Sequence, residues 1–340
     1  MKQAPKKKPQ DLVAQLAELG YDVRVGLRDD TPPSGLDRAD LRKAIQRQTR
    51  TRTLQPRSES TSPPPHRTSP SKPVKAVAYR RGVPRRAPPH KKSPPPSAAV
   101  PLESGVPGAV ATAPNGGSAY LVTAPTANME QGTCLNDAFV ARLGEAASGL
   151  NSRIAGVCNG ARMAVEDMVF MDIETTGLSS SPVFLIGVMI WDGGGFRVKQ
   201  FLARDYSEEA AILSFYANEC AERRLLVTFN GKTFDVPYLR TRAVSNGIPL
   251  RQDLAHLDLL HASRRAWRRH LPNCKLQTLE RHVCGRRRRG DIPGSEIPDA
   301  YHEFVRTGNA WQIVDILKHN ALDLVTLADI LTRFPDDGLA

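Results

Sequence analysis

Two carboxylates two residues apart, Asp172 and Glu174, close the apolar run Met168, Val169, Phe170, Met171 and Ile173. In a β-strand residues i and i+2 share a face, so this spacing sets the pair side by side. Such a pair repels itself unless something positive lies between its members, and two oxygen donors at a strand end suit Mg²⁺ or Mn²⁺. The residues that follow, Thr175, Thr176 and Gly177, would equally serve as a plain polar turn, so the motif needs partners from elsewhere in the chain.

Two other segments offer them. In Phe229-Asn-Gly-Lys-Thr-Phe-Asp235 the acid comes just past a strand and the Asn230-Gly231 turn, at a helix start, which is where ligands collect in α/β sheets. A simple N-terminal helix charge is the other reading of Asp235, worth ~0.3–1 kcal/mol. His319 and Asp323 are i and i+4 in an otherwise apolar helix, so they share one face; an exposed ion pair would use the same spacing. Four carboxylates with an imidazole are what a two-metal phosphoryl hydrolase requires, its cations ~3.5–4 Å apart on either side of the scissile phosphate. His319, with an ordinary pKa near ~6.5, could take the proton of the attacking water. Asp258, in His256-Leu-Asp-Leu-Leu260, is a fifth acid, read as support for the site or as a helix cap.

The elements that must position these residues follow from periodicity. Asp167–Thr175, the nearly all-apolar Val183–Trp191 and the alternating Phe196–Ala203 read as three strands, the last two joined by the turn Asp192-Gly-Gly-Gly195. Ser207 is expected to cap a helix, after which the buried strand Leu225–Phe229 returns parallel to the sheet. A weaker strand spans Ala119–Thr123, and helices are expected from Asp235 to about Ser245 and over Trp311–Leu331. The expected architecture is α/β: a mixed five-stranded sheet flanked by helices.

Charge divides the chain. Residues 1–100 carry 22 Lys and Arg against 8 Asp and Glu, with 16 of the 27 prolines, so the whole formal charge of +12 belongs there. Three regions are expected: a basic segment with short helices over 1–50, a disordered Pro/Ser/Arg-rich linker over 51–115, and a folded domain over 116–340. A basic tail suits an anionic partner, DNA or RNA in preference to a membrane surface, or it acts only as a solubilising tail. Five scattered cysteines without a Cys-x-x-Cys pair, no signal peptide and no long apolar run imply a soluble, cytoplasmic protein with neither disulfide frame nor zinc site. Between Arg264 and Arg289 stand ten Lys and Arg against one acid, Glu280. Phosphate contact is expected of the arginines in this cluster, Arg286, Arg287, Arg288 and Arg289 first among them, with a solvated face as the other reading, while Trp267 is read as a core residue rather than a base-stacking platform.

The ordered motifs FMDIETTGL, FNGKTFDVPYLRTRA, HLDLLHASRRAW, GDIPGSEIP and HNALDL resemble the ribonuclease H-like DEDD 3′–5′ exonuclease superfamily, most closely its YprB-like ribonuclease H branch. The resemblance covers residues 116–340 and not the tail. It implies a ribonuclease H-like fold, two divalent cations (Mg²⁺ or Mn²⁺) on Asp172, Glu174, Asp235 and Asp323, and His319 as general base. It also implies a terminal nucleotide held near Asn230 and the backbone of Thr175, Thr176 and Gly177. One departure stands out: His319 lies four positions before the last Asp, the spacing of the tyrosine-type enzymes, where the histidine type has five. The expected activity is 3′–5′ exonucleolytic hydrolysis of single-stranded DNA or RNA. The alternatives are a ribonuclease H-like endonuclease and a non-catalytic nucleic-acid-binding module, for which four intact acids would have no use.

Overall fold

The structure, a computed structural model, describes residues 99–129, 132–177 and 181–336. The expected N-terminal helices and the linker up to residue 98 lie outside the described residues. Strands β1 (Ala109–Thr112), β2 (Ser118–Pro125), β3 (Met168–Thr175), β4 (Val183–Trp191), β5 (Phe196–Leu202), β6 (Leu225–Thr228) and β7 (Ala255–Asp258) form one seven-stranded sheet in the order β1-β2-β5-β4-β3-β6-β7. The α/β class and mixed pairing are as expected. The strand number is not: the sheet has seven strands where the sequence suggested five. At one edge, β1 falls within the stretch read as linker, and three of its four residues are exposed, so it has no apolar alternation to read. At the other edge, β7 has four residues, two of them only half-buried, and its apolar character merges into the helix that follows.

The centre of the sheet is built as its sequence dictates. Eight of the nine β4 residues and the first four of β3 are buried, the signature of strands covered on both faces. The β3–β4–β5 meander is antiparallel, whereas β6 joins β3, and β7 joins β6, in parallel. The carboxyl ends of β3, β6 and β7 therefore emerge at one end of the sheet, where Thr228 pairs with Asp258. Phe170 is the last β3 residue paired with β6, so Asp172 and Glu174 lie two and four positions beyond it.

Nine helices lie among the described residues: α1 (Leu102–Gly105), α2 (Gly132–Gly144), α3 (Gly149–Ala155), α4 (Glu209–Glu219), α5 (Asp235–Ser245), α6 (Leu259–Trp267), α7 (Leu276–His282), α8 (Ile297–Thr307) and α9 (Ile313–Thr332). The cap expected at Ser207 is supplied by Asp205, whose Oδ1 accepts from the Ser207 amide at 2.8 Å ahead of a short 3₁₀ turn. Helix α4 thus starts at Glu209, a buried acid whose carboxylate accepts from the Val183 amide at 2.8 Å and from Arg242 Nε at 2.7 Å, tying α4 and α5 to the start of β4. On the α2 side, Phe139, Phe170 and Phe196 meet edge to face with centroids 4.9–5.9 Å apart.

Helix α9 crosses β3 and β4. Its close approach depends on Gly187, which pairs with Asp172 on one side and Gln200 on the other. A Cβ there would lie 2.0 Å from Asn320 Oδ1. Into that space Asn320 packs, donating to Asp172 Oδ2 at 2.9 Å and accepting from Gln200 Nε2 at 2.9 Å, while Gln200 also donates to the Leu317 carbonyl at 2.8 Å. Asn320 and Gln200 are fully buried, so every one of these bonds replaces water that cannot enter. Gly187→Ala should destabilise the domain by about 1–3 kcal/mol in urea denaturation, and combining it with Asn320→Ala should cost less than the sum of the two, because one clash is shared.

Candidate active site

Strand β3 delivers the first two acids to the sheet end. Its pairing with β4 shifts between Glu174 and Thr175, a bulge that ends the ladder where the side chains of Asp172 and Glu174 are part-exposed. The turn beyond is fixed internally: Thr175 Oγ1 donates to the Gly177 carbonyl at 2.8 Å, and the Thr176 amide donates to the Pro182 carbonyl at 3.0 Å. From α5, the Tyr238 hydroxyl donates to the Ser181 carbonyl at 2.6 Å and anchors the far side of this loop.

The second segment turns through Asn230, which takes a left-handed conformation at φ 66°. Asp258 holds that turn open: its carboxylate accepts from the amides of Asn230 at 2.8 Å and Lys232 at 3.0 Å, and also from Leu260 at 3.0 Å as the cap of α6. Asp258 thus braces the turn and caps α6 with one carboxylate. Asp235 begins α5 and is buried, with the amides of Asp235 itself and Ile173 directed at its carboxylate.

The third segment is α9. His319 and Asp323 do share a face, with Nε2 of the imidazole 3.5 Å from Asp323 Oδ2. The other ring nitrogen, Nδ1, is 2.9 Å from Asp291 Oδ1. Asp323 Oδ1 is bonded to Arg288, which in turn contacts Asp291 at 3.3 Å and the buried Glu280 at 2.5 Å. The result is a closed ring of four side chains, Arg288–Asp323–His319–Asp291. Asp291 belongs to the GDIPGSEIP motif but drew no role from sequence, and neither did Asn320. A lone polar residue in an irregular loop or a packed helix carries no periodic signal of what it faces.

The basic run behaves differently from its sequence reading. Arg286 and Arg288 point inward, their side chains 10% and 6% exposed, and are paired with Glu280, Asp329, Asp291 and Asp323. They neutralise protein carboxylates and are not presented to phosphate; Arg287 and Arg289 are exposed. Buried carboxylates require cations as much as a polyanion does, and an irregular loop does not encode which of its arginines turn inward. Trp267 stacks on Phe334 with centroids 4.7 Å apart, the packed role expected of it.

Electrostatics mark the cluster as a unit. Burial, then the charges of Asp323, Glu174 and Asp235, push Asp172 well above the usual carboxylate range against the opposing Asn320 hydrogen bond. Burial pushes Glu174 up to about 8; Asp323, Asp235 and Asp291 add to the rise and His319 opposes it. Asp235 is raised to about 7, by burial first and then by Asp258 and Asp323. Burial alone would lower His319, but Asp291, Asp323 and Glu174 outweigh it and raise the imidazole to about 9. Among the described residues no three His, Cys, Asp or Glu side chains converge tightly enough to hold a metal ion as they stand, since Asp323 is engaged by Arg288 and His319 and Asp172 by Asn320. The donor chemistry nevertheless fits a hard divalent cation: the acids offer only oxygen, and their mutual repulsion is what such a cation would relieve.

Residues 169–334 match the family model described as RNase_H superfamily. The chain is 32% identical over 169 residues to the uncharacterized protein YprB of Bacillus subtilis (strain 168), a match covering 48% of this chain and 41% of that protein, so it spans less than half of its relative's length. Among solved structures, the family B DNA polymerase of the archaeon Pyrobaculum calidifontis is similar at 18% identity and a TM-score of 0.39, over 48% of this chain and 24% of the polymerase. Among the described residues no helix is long and apolar enough to cross a membrane, and all five cysteines are free thiols.

The raised groups set a pH dependence with a definite sign. Glu174, Asp235 and His319 all bind protons more tightly folded than unfolded. The stability they contribute is complete below their unfolded values of ~4 for the acids and ~6.5 for the imidazole, and is lost as pH rises through about 7, 8 and 9. Thermal melts in EDTA should fall by roughly 5 °C or more between pH 5.5 and pH 9, and Mn²⁺ should recover most of the loss at the alkaline end. A midpoint that stays level or climbs over this range would show that the carboxylates are not packed as described.

Proposed function

Because residues 169–334 form a ribonuclease H superfamily domain, we propose that this protein is a metal-dependent nuclease that removes nucleotides in the 3′–5′ direction from single-stranded DNA or RNA. Nucleases of this superfamily generally use divalent metal ions. The observation that carries the reading is that three separate segments bring Asp172, Glu174, Asp235 and Asp323 near enough at one end of the sheet for the charge of Asp323 to raise the proton affinity of the other three.

In this reading the four acids hold two cations, Mg²⁺ or Mn²⁺. Bound there, the ions would polarise the scissile phosphate and acidify the attacking water. Asn320 orients Asp172 through its 2.9 Å bond to Oδ2, which leaves Oδ1 as the oxygen that would bind an ion. His319 would take the water's proton at Nε2, the nitrogen on the Asp323 side, once cations on the acids offset the negative charge that raises the imidazole to about 9 and leave it neutral, while Asp291 holds Nδ1 and with it the plane of the ring. The loop of Thr175, Thr176 and Gly177, and the turn at Asn230 braced by Asp258, border the acids and present backbone groups to a terminal nucleotide. Arg287 and Arg289 are the members of their run left free to meet phosphate.

A labelled-oligonucleotide assay with single- and double-stranded DNA and RNA, in Mg²⁺ or Mn²⁺, tests the proposal. A 5′-labelled single strand should yield a descending ladder that EDTA and Asp172→Asn both abolish. His319→Ala should lower kcat by about 10²–10⁴ with little change in KM. Fixed internal products would replace the exonuclease by a ribonuclease H-like endonuclease. The enzyme reading fails if no substrate is cut in a metal-dependent way.

A further inference from the structure

Helix α6 leads out of the candidate site. Its cap, Asp258, is the residue that braces the Asn230 turn, and its buried side, Leu259, Leu260, Ala262 and Ser263, packs on the domain. The opposite side carries Arg264 and Arg265 in its last turn, and Arg268 and Arg269, just past its end at Trp267, continue the two i, i+4 stripes; all four are exposed. Like charges at that spacing destabilise a helix. Several other arginines of the domain, Arg142, Arg204 and Arg242 among them, have carboxylate partners; among the described residues none lies within ion-pair distance of these four, nor of the exposed Arg281, Arg287 and Arg289, but only here do four exposed arginines stand together on one face. Their charge is felt inside the fold: Arg153, held over the Phe334 ring at 5.1 Å, has its proton affinity lowered by burial and then by Arg265.

Two helix lengths bound the place of this face. Nine helical residues carry α6 roughly 13 Å from Asp258. Eleven positions along α9 and its end, from Asp323 to Phe334, cover roughly 16 Å. The two paths meet where Trp267 stacks on Phe334. We infer that the exposed face of α6, Arg264, Arg265, Arg268 and Arg269, is a docking track for the phosphate backbone of the nucleic-acid strand, set about 15 Å from the carboxylates. A stacked strand rises ~3.4 Å per nucleotide, so a chain whose end lies in the site reaches the arginines roughly four to five nucleotides back. This rests on the nuclease reading for the position of the strand's end. It goes beyond that reading in making affinity depend on substrate length and in moving the main phosphate contact from the Arg286–Arg289 run to α6.

Binding is to be read by fluorescence anisotropy in EDTA, on the full chain, with 5′-labelled single strands of 4 and 20 nucleotides over a salt series. Two variants are compared with wild type, one with all four arginines changed to Glu and one with all four changed to Gln, each checked for an unchanged melting midpoint. For the 20-mer, affinity should fall at least tenfold in the Glu variant and less in the Gln variant. The slope of log affinity against log salt should flatten by roughly 3 in the Gln variant, about 0.7 per lost contact on a single strand. For the 4-mer, affinity should change less than twofold. The track is overturned if the 20-mer binds both variants as it binds wild type with the same slope, or if both lengths weaken equally. Because no metal is present, the outcome is separable from the nuclease reading. A wild type that binds through α6 but cleaves nothing would sink that reading alone, and one that cleaves while both variants bind normally would sink the track alone.

Discussion

Repulsion among carboxylates crowded at the end of β3 is the constraint from which the rest of this domain can be understood. An isolated acid at that place would be solvated and unremarked, but Asp172, Glu174 and Asp235 are withdrawn from water, and burial together with neighbouring carboxylates, Asp323 among them for all three, makes each harder to ionise. A fold keeps such an arrangement only if the surrounding packing imposes it. Here the packing is a pair of central strands buried on both faces, a glycine at 187 that lets α9 close on them, and a fully buried Gln200–Asn320–Asp172 hydrogen-bond relay. Like-charged groups held together by a rigid frame mark a candidate functional site.

The fold answers part of that charge itself. Arg288 and Arg286, in the loop after α7, bring guanidinium groups to Asp323, Asp291, Glu280 and Asp329, and Arg288 is held protonated by those partners although burial alone would favour its neutral form. The loop therefore has two functions at once: its arginine balances Asp323, and its aspartate fixes the ring of His319. Ion pairs as enclosed as these contribute more to geometry than to net stability, because each partner gives up its hydration to form them. Asp258 plays the matching part on the other side of the site, where it satisfies three amides and sets the direction in which α6 leaves.

Much of this was legible in the sequence wherever a residue belonged to a periodic element. The i, i+2 spacing of Asp172 and Glu174 read correctly as one strand face, the i, i+4 spacing of His319 and Asp323 as one helical face, and Asp235 as the start of a helix beyond a glycine turn. The reading weakened where periodicity ended. The edge strands β1 and β7 are too short and too exposed or half-exposed to show alternation, so the sheet was undercounted by two. In the irregular loop from Gly285 to Asp291 the composition was plain but the facing was not, so the inward turn of Arg286 and Arg288 and the partnership of Asp291 with His319 emerge only from the three-dimensional arrangement. Gly187 and Asn320 illustrate the same limit, since each is intelligible only from what the other touches.

The central claim is that the four acids form a divalent-cation site. Isothermal titration of Mn²⁺ into the full chain near pH 7.5, repeated in buffers of different ionisation enthalpy, tests it most directly. Saturable binding approaching two ions at or below millimolar concentration is expected, with net release of protons as Glu174 and Asp235 give theirs up, and with loss of binding in Asp172→Asn. Binding without proton release, binding indifferent to Asp172→Asn, or no saturable binding at all would contradict it.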